Sequence, residues 1–146
     1  MVKVRALEDR DKPDWLALFK GYIAFYKASI SDDVMEKTWQ RLMAEEPDFH
    51  ICLVAVDETD KPIGLAHVLF HASTWSPTSY CYLEDLFVAP AMRQQGVGRA
   101  LIEAAYAVAD ARGCTRIYWT TQEFNYRARA LYDQVATKTP FIRYQR

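Results

Sequence analysis

The chain has 146 residues, enough for one domain with a single substantial core but too short for two well-packed domains. Hydrophobic residues make up 51% and charged residues 25%, which excludes a disordered chain, and no apolar run approaches the roughly 20 residues of a membrane span. The formal net charge of −1 hides an asymmetry, since residues 1–90 carry −6 and residues 91–146 carry +5. The basic part suits an anionic ligand and the acidic part a cationic one, although an uneven solvated surface gives the same count.

The sequence also disfavours several classes of protein and site. The three cysteines are odd in number, widely spaced and outside any CxxC or Cys/His pattern, so we expect neither a disulfide framework nor a metal site. The N-terminus is charged from residue 3 onward and lacks the apolar core of a secretion signal, so we expect a cytoplasmic protein. A pI of about 6.3, without a basic stripe carrying stacking aromatics, disfavours a nucleic-acid module.

The first part of the chain predicts a strand and two helices. Alternation in VKVRAL, residues 2–7, is typical of a strand. Asp11 offers an N-cap with Pro13 just inside a helix, and the apolar residues that follow have the spacing of one helix face: Trp15, Leu18, Phe19, Tyr22 and Tyr26. A second helix is expected to begin near residues 31–33 and to end at Pro47.

The remainder predicts three strands and then alternating helices and strands. Residues 50–57 and 62–73 flank the turn-forming DETDK and indicate an antiparallel hairpin. YCYLEDLFVAP, residues 80–90, has the apolar density of a central strand. A helix ending near Gly113, a strand over 115–121, a helix from about Asn125 and an extended C-terminal segment follow.

The stretch VAPAMRQQGVGRAL, residues 88–101, indicates an anion site. A helix N-terminus exposes N–H groups that can hold a phosphate, Gly96 and Gly98 leave that approach clear, and Arg93 and Arg99 add guanidinium groups. The stretch lacks a Walker A lysine, and Leu101 replaces the third glycine of a dinucleotide fingerprint. We therefore predict a pyrophosphate cradle of another kind, although RxxGxG alone also fits an ordinary glycine-rich turn.

Four blocks, in this order and spacing, resemble the GNAT superfamily of acetyl-coenzyme A-dependent N-acetyltransferases: YLEDLFVAP, RQQGVGRAL, RIYWTT and NYRARALYDQVA. YLEDLFV and the C-terminal NYRARALYDQVATKTPFIRY look most like the branch of polyamine acetyltransferases and fungal histone and polyamine acetyltransferases. The resemblance implies an α/β GNAT fold over residues 1–146. Its central mixed, mostly antiparallel sheet would have six to seven strands, a splay between the fourth and fifth strands, and about four flanking helices.

The resemblance also implies which residues hold acetyl-CoA. Leu86, Phe87 and Val88 would offer backbone groups to the pantetheine arm at the splay. Asn125 would contact the same arm, and its position also fits an N-cap, a role compatible with the first. Backbone N–H groups of the loop would hold the pyrophosphate, from Arg93, Gln94, Gln95, Gly96, Val97, Gly98 and Arg99.

The chemistry of amine acetylation requires a base and an acid. An alkyl ammonium has a pKa of about 10, so it must lose a proton before it attacks a thioester, and the departing thiolate must gain one. Tyr132 occupies the position of the family's catalytic tyrosine and is our candidate acid, although it also fits the apolar face of its helix as a core residue. His67 and His71 fall on one face of a predicted strand, but two lone histidines are more often structural than metal ligands, so we assign no metal.

Glu84 and Asp85 are poorly explained as solvated surface within CYLEDLFV, and strand alternation predicts that they point to opposite faces. By resemblance to the polyamine enzymes, Glu84 is our choice for the base, through water, with Asp85 or Glu84 holding the ammonium. A structural carboxylate bonded to nearby backbone is the alternative. Tyr26 and Trp75, near predicted loops, are candidate cation–π residues of the acceptor pocket.

These observations predict an enzyme that moves acetyl from acetyl-CoA to a primary amine through a ternary complex. The acceptor stays open between a small amine, a polyamine and a protein lysine. The alternative is a non-catalytic acyl-CoA sensor, which the presence of both Glu84 and Tyr132 disfavours. The C-terminal TPFIRYQR is apolar for a free sheet edge, so we expect a homodimer that covers this segment.

Overall fold

The computed structural model describes residues 2–44 and 50–146. Its strands are β1 (Lys3–Ala6), β2 (His50–Val56), β3 (Pro62–His71), β4 (Tyr80–Val88) and β5 (Arg116–Tyr118). Its α-helices are α1 (Lys12–Phe25), α2 (Asp32–Met43), α3 (Val97–Ala111) and α4 (Tyr126–Val135). Within the described ranges, no helix is long and apolar enough to cross a bilayer.

The five strands form one mixed sheet in the order β1-β2-β3-β4-β5. The first four strands pair antiparallel with their neighbours, and β5 joins β4 in parallel after the α3 crossover. The predicted α/β fold is confirmed, but the described residues hold five strands instead of six to seven. The difference lies after α4, where residues 137–146 belong to no strand. An extended segment becomes a strand only by pairing, and β5 presents just three residues as a neighbour.

The helices cover both faces of the sheet. Trp15 and Phe19 of α1 pack with Met35 and Trp39 of α2 on one face, against a cluster that includes Leu65 of β3. The opposite face is covered mainly by α3, and α4 packs on that same cluster; Leu101, Ile102 and Leu131 lie there. Hydrophobic burial against both faces therefore makes the sheet the central layer.

The ends of α1 and α2 follow the sequence in part. The Ser31 hydroxyl accepts from the Val34 N–H at 3.3 Å at the start of α2. Asp11 precedes α1 as predicted, but its carboxylate does not cap the helix, because it accepts two hydrogen bonds from Arg5 at 2.7 and 3.0 Å. Helix α2 ends at Met43, and the predicted end at Pro47 lies outside the described residues.

The predicted splay between the fourth and fifth strands is confirmed by the pairing. Only Tyr80, Cys81 and Tyr82 of β4 face β5, opposite Arg116, Ile117 and Tyr118. Strand β4 continues to Val88 while β5 ends at Tyr118. Among the described residues, no strand pairs with the β5 side of residues 83–88, so its backbone groups are available to a ligand.

A β-bulge interrupts β4 at the acidic pair. His67 of β3 lies opposite Asp85 and Val68 lies opposite Leu83, which leaves Glu84 as the extra residue. The prediction that Glu84 and Asp85 point to opposite faces is wrong, because a bulge resets the alternation. Both carboxylates lie on the α1 side, where Asp85, Tyr82 and His67 all act on the charge of Glu84.

Candidate active site

Glu84 lies at the bulge, at the edge where β4 and β5 separate. Its side chain is exposed, so water reaches the carboxylate. The pKa of Glu84 is raised above its ordinary value of 4.5, first because the surrounding protein partly removes solvent and then because Asp85 carries like charge. A carboxylate that water reaches and whose pKa is shifted toward neutrality can act as a base.

Asp85 is more enclosed than Glu84, with 16% of its side chain exposed. Its Oδ2 lies 2.8 Å from Nδ1 of His67. The Tyr22 hydroxyl interacts with the same carboxylate, and the Tyr22 pKa is raised, first by burial and then by the charge of Asp85. Asp85 is therefore fixed by α1 and β3, whereas Glu84 is not.

Tyr132 projects from α4 and is partly buried. Its ring makes an edge contact with Trp119, with centroids 5.4 Å apart. Burial raises the pKa of Tyr132 to about 12, and Tyr26 contributes a smaller increase. Tyr132 thus packs on the core and also keeps its proton at neutral pH, so the core role and the proton-donor role are compatible.

Two tyrosines of α1 and its C-cap connect these groups. The rings of Tyr22 and Tyr26 lie 5.0 Å apart, Tyr22 interacts with Asp85, and Tyr26 acts on Tyr132. A series of contacts through these two tyrosines therefore connects Asp85 of the acidic pair with Tyr132. Trp75 is 85% exposed in the β3–β4 loop, and its role stays a prediction.

The loop before α3 has the backbone shape of an anion cradle. Gly96 is the N-cap residue with φ of 80°, and no side chain caps the helix. The space around the Gly96 α-carbon is open, since nothing lies within 4 Å of a Cβ built there. The uncapped N–H groups and the positive end of the helix dipole fit a pyrophosphate.

The structure gives Gly98 a role different from the open approach to the anion that the sequence suggested. A Cβ built at Gly98 would lie 3.3 Å from Cδ2 of Leu131, so this glycine allows α4 to pack closely on α3. It positions the helix that carries Tyr132, the residue after Leu131. Gly98 therefore affects the packing of α4, whereas Gly96 is the glycine that leaves open space at the start of α3.

The two arginines of the loop are engaged within the chain. Arg93 donates from Nε to the carbonyl of Val88 at 3.1 Å, and its guanidinium lies over the rings of Phe87 and Phe25 at 5.4 and 5.7 Å. Arg99 donates to Gln134 of α4. In this conformation both guanidinium groups are therefore held by contacts within the chain, and Arg93 ties the end of β4 to α1.

Asn125 caps α4. Its Oδ1 accepts from the Ala128 N–H and its Nδ2 donates to the Thr121 hydroxyl, both at 3.5 Å. The N-cap prediction is confirmed, and the predicted coenzyme contact is not tested by these bonds.

Sequence reasoning missed the importance of His67 and Trp15. Trp15 is fully buried and donates from Nε1 to Nε2 of His67 at 2.9 Å, and His67 is 4% exposed. The alternation of β3 predicts the face of His67. Its partners are 52 and 18 residues away along the chain, so no local pattern identifies them.

The Acetyltransferase (GNAT) family matches residues 15–136 of the chain. The protein belongs to this family. It is 37% identical over 145 residues to a D-amino-acid N-acetyltransferase of Saccharomyces cerevisiae, covering 99% of this chain and 90% of that one. It is 30% identical over 144 residues to a thialysine N-epsilon-acetyltransferase of Bos taurus, covering 94% and 84% of the two chains.

A solved structure of a probable acetyltransferase has the same fold, with a TM-score of 0.84 and 20% identity over 98% of this chain and 95% of that chain. The predicted GNAT membership and acetyl transfer are confirmed by these matches. GNAT acetyltransferases use acetyl-CoA as co-substrate. Among the described residues, no group of three or more His, Cys, Asp or Glu side chains is arranged to hold a metal.

Proposed function

We propose that this GNAT acetyltransferase moves acetyl from acetyl-CoA to the primary amine of a small cationic molecule, by direct attack in a ternary complex. The observation that supports the proposal is a series of contacts beside the splay: Asp85, next to Glu84, interacts with Tyr22, Tyr22 packs on Tyr26, and Tyr26 acts on Tyr132. Glu84 and Tyr132 both have raised pKa values. The relatives are named for D-amino acids and thialysine, which supports a small amine over a protein lysine.

The residues on the coenzyme side fit the family's co-substrate. Residues 86–88 present the β4 edge that β5 leaves unpaired, and residues 93–99 surround the uncapped start of α3. Asn125 stands at the start of α4 and can add a side-chain amide to the same site. When bound there, acetyl-CoA supplies the acetyl group as a thioester; the chain supplies binding and proton transfer.

Glu84 is the proposed base. The acceptor enters as an ammonium with a pKa of about 10, so a proton must leave before nitrogen attacks. Because the Glu84 carboxylate is exposed to water, it can take this proton through a water molecule. Its raised pKa makes it a stronger base than an ordinary glutamate.

Tyr132 is the proposed acid. Its pKa of about 12 keeps the phenol protonated throughout the neutral range, so it can always donate a hydrogen bond and then a proton to the leaving sulfur. Tyr26 lies close enough to influence its charge and offers an aromatic face for the acceptor cation, together with Asp85 as counter-ion. Trp75 is the proposed outer wall, on the β3–β4 loop.

We also propose that residues 1–146 act as one domain and form a homodimer through the C-terminal segment. Phe141, Ile142 and Tyr144 are 87%, 76% and 89% exposed, an unusual condition for three large apolar side chains so close in sequence. A second copy is the proposed cover.

The first experiment is a thiol-release assay over D-amino acids, thialysine, polyamines and a lysine peptide, with wild type and Tyr132→Phe. We expect release with a small amine, and a loss of kcat on the order of 10²-fold in the variant, because a general acid is removed. Coenzyme affinity, measured by calorimetry, should not change. Tyr126→Phe is the matched control, since Tyr126 is on the same helix and 73% exposed.

Unchanged turnover in Tyr132→Phe removes this residue from the mechanism. Coenzyme binding without thiol release across the whole panel supports the alternative, a non-catalytic acyl-CoA sensor.

A further inference from the structure

A buried hydrogen-bond chain reaches the acidic pair from the core. The indole N–H of Trp15 donates to Nε2 of His67 at 2.9 Å, and Nδ1 of His67 lies 2.8 Å from Oδ2 of Asp85. Trp15 is 0% exposed and His67 is 4% exposed, so water does not compete for these bonds. The rings of Phe19 and Trp15 pack against the imidazole, at centroid distances of 4.9 and 6.0 Å.

The partners decide the tautomer of His67. An indole N–H only donates, so Nε2 must be unprotonated to accept from it. The single proton of the neutral ring is then on Nδ1, which donates to the Asp85 carboxylate. The orientation of the ring is fixed at both nitrogens.

The same geometry excludes a proton relay through His67. A relay must pass a proton from one ring nitrogen to a further acceptor. Here Nε2 faces the indole N–H of Trp15, which never accepts a proton. Although the pair looks like the His and Asp of a catalytic dyad, the imidazole has no path to solvent or substrate. Its direct hydrogen bond within the site is to Asp85, which it holds in position.

Glu84 has a hydrogen-bond partner on its own strand, the Tyr82 hydroxyl. Glu84 is the extra residue of the bulge, and its side chain is exposed, whereas Asp85 is held by β3 and by Tyr22 of α1. One carboxylate is fixed and the other is free to exchange protons with water. These are the different requirements of a counter-ion that orients an ammonium and of a base.

We propose that His67, locked by Trp15, is a positioning residue that assigns the two carboxylates: it fixes Asp85 as the anion that receives the acceptor ammonium and leaves Glu84 as the base. The inference rests on the proposed function, since it concerns the same site. It extends that site into the core by two residues, Trp15 and His67. Acceptor specificity then depends on a residue that the acceptor does not touch.

Two substitutions separate the bonds of His67. In His67→Asn the amide nitrogen takes the place of Nδ1 and still donates to Asp85, while Trp15 loses its acceptor. In His67→Gln the longer side chain carries the amide to the place of Nε2 and still accepts from Trp15, while Asp85 loses its donor. His50→Gln, at the start of β2, is the matched histidine control.

The readouts are the Kd of the amine by calorimetry, in the presence of coenzyme A, and the melting temperature. We expect His67→Gln to weaken amine binding by about tenfold or more, the effect of disturbing one charge-assisted bond, and to melt above His67→Asn. We expect His67→Asn to bind the amine within about threefold of wild type, despite the lower stability that an unpaired buried indole N–H causes. A purely structural role of His67 would make amine affinity and stability fall together. The test is therefore whether the more stable variant, His67→Gln, is the one that binds the amine more weakly.

A wild-type measurement keeps the inference testable if the variants fold poorly. ¹⁵N spectra should show Nδ1 of His67 protonated and Nε2 unprotonated, and saturating amine should shift the Nδ1–H resonance because the ammonium draws charge from Asp85. The inference is overturned by the opposite tautomer, by an Nδ1–H signal that ignores the amine, or by equal affinity in His67→Gln and wild type.

Failure of the proposed function gives a different pattern. If wild type binds the amine but releases no thiol, catalysis is disproved and the contrast between Asn and Gln still judges the role of His67. If wild type binds no amine at all, both proposals fall.

Discussion

Glu84 and Asp85 are adjacent in sequence but meet different surroundings, because a single extra residue in β4 places both on the α1 side of the sheet. Asp85 is enclosed by His67 and Tyr22, and Glu84 stays in contact with water. The motif identified the pair as functional candidates. It did not show the bulge, because strand alternation is a local rule, whereas the bulge depends on how β4 pairs with β3.

The pH dependence of catalysis tests Glu84. Because the base must be unprotonated, kcat/KM of the wild type should fall as pH drops through the pKa of Glu84, at a pH above the ordinary 4.5. Glu84→Gln should lose activity on the order of 10²-fold and lack this acid limb. Glu103→Gln, on α3 and exposed, is the control in rate measurements across pH. An unchanged acid limb in Glu84→Gln would falsify the assignment.

The same shift has the opposite sign for stability. A carboxyl whose pKa is raised by folding holds its proton more tightly in the native state, so stability decreases as pH rises from its ordinary value through the folded value. At neutral pH, Glu84→Gln should therefore melt at or above the melting temperature of wild type. Below the pKa values of Glu84 in the folded and unfolded states, the two proteins should melt at the same temperature. Melting curves at several pH values measure this, and a variant less stable than wild type at neutral pH contradicts the raised pKa.

At the scale of elements, the loop before α3 uses its two glycines for different purposes. Gly96 supplies a left-handed backbone, with φ of 80°, and Gly98 supplies close contact with α4 at Leu131. The loop and α4 are thus joined, so a change at Gly98 reaches Tyr132 through packing.

We expect Gly98→Val to lower kcat more than it weakens coenzyme binding, because added methyl groups displace Leu131 and the neighbouring Tyr132. We expect Gly96→Ala to cost about 1 kcal/mol of stability, the strain of an L-residue in this backbone region, and Gly96→Asn to cost less. Steady-state kinetics, coenzyme calorimetry and denaturant unfolding separate these effects. Equal losses of kcat in the Gly98 and Gly96 variants would argue against a specific link to α4.

Which elements form was predictable from local patterns, and where they pair was not. The periodicity of α1, the start of α2 near residues 31–33, the N-cap Asn125 and the helix after the glycine-rich stretch were confirmed, because each depends on neighbouring residues. Strand β5 is three residues long instead of the predicted seven, because only its first part meets β4. The contacts of His67 likewise depend on register and on α1, which no window of sequence contains.

At the scale of the molecule, the charge asymmetry agrees with a two-ligand enzyme. The acidic pair lies on β4, in the part of the chain that carries −6, and the proposed pyrophosphate cradle begins the part that carries +5. The C-terminal segment also comes within electrostatic range of the site, since Arg143 lowers the pKa of Glu84 slightly against the larger effects of burial and Asp85. Assembly through this segment would therefore affect the acceptor side first.

The homodimer is tested by changing the three exposed apolar residues of that segment together. Phe141→Ser, Ile142→Ser and Tyr144→Ser should convert a dimer into a monomer, measured by sedimentation at micromolar concentrations, because serine removes apolar area without altering the segment's net charge. Within one chain these side chains bury little surface, so each subunit should keep its fold, and Arg143 remains in place near Glu84. Val34→Ser, at a half-exposed apolar position on α2, is the matched control and should stay dimeric. A monomeric wild type, or a dimer unaffected by the triple change, rules out this interface.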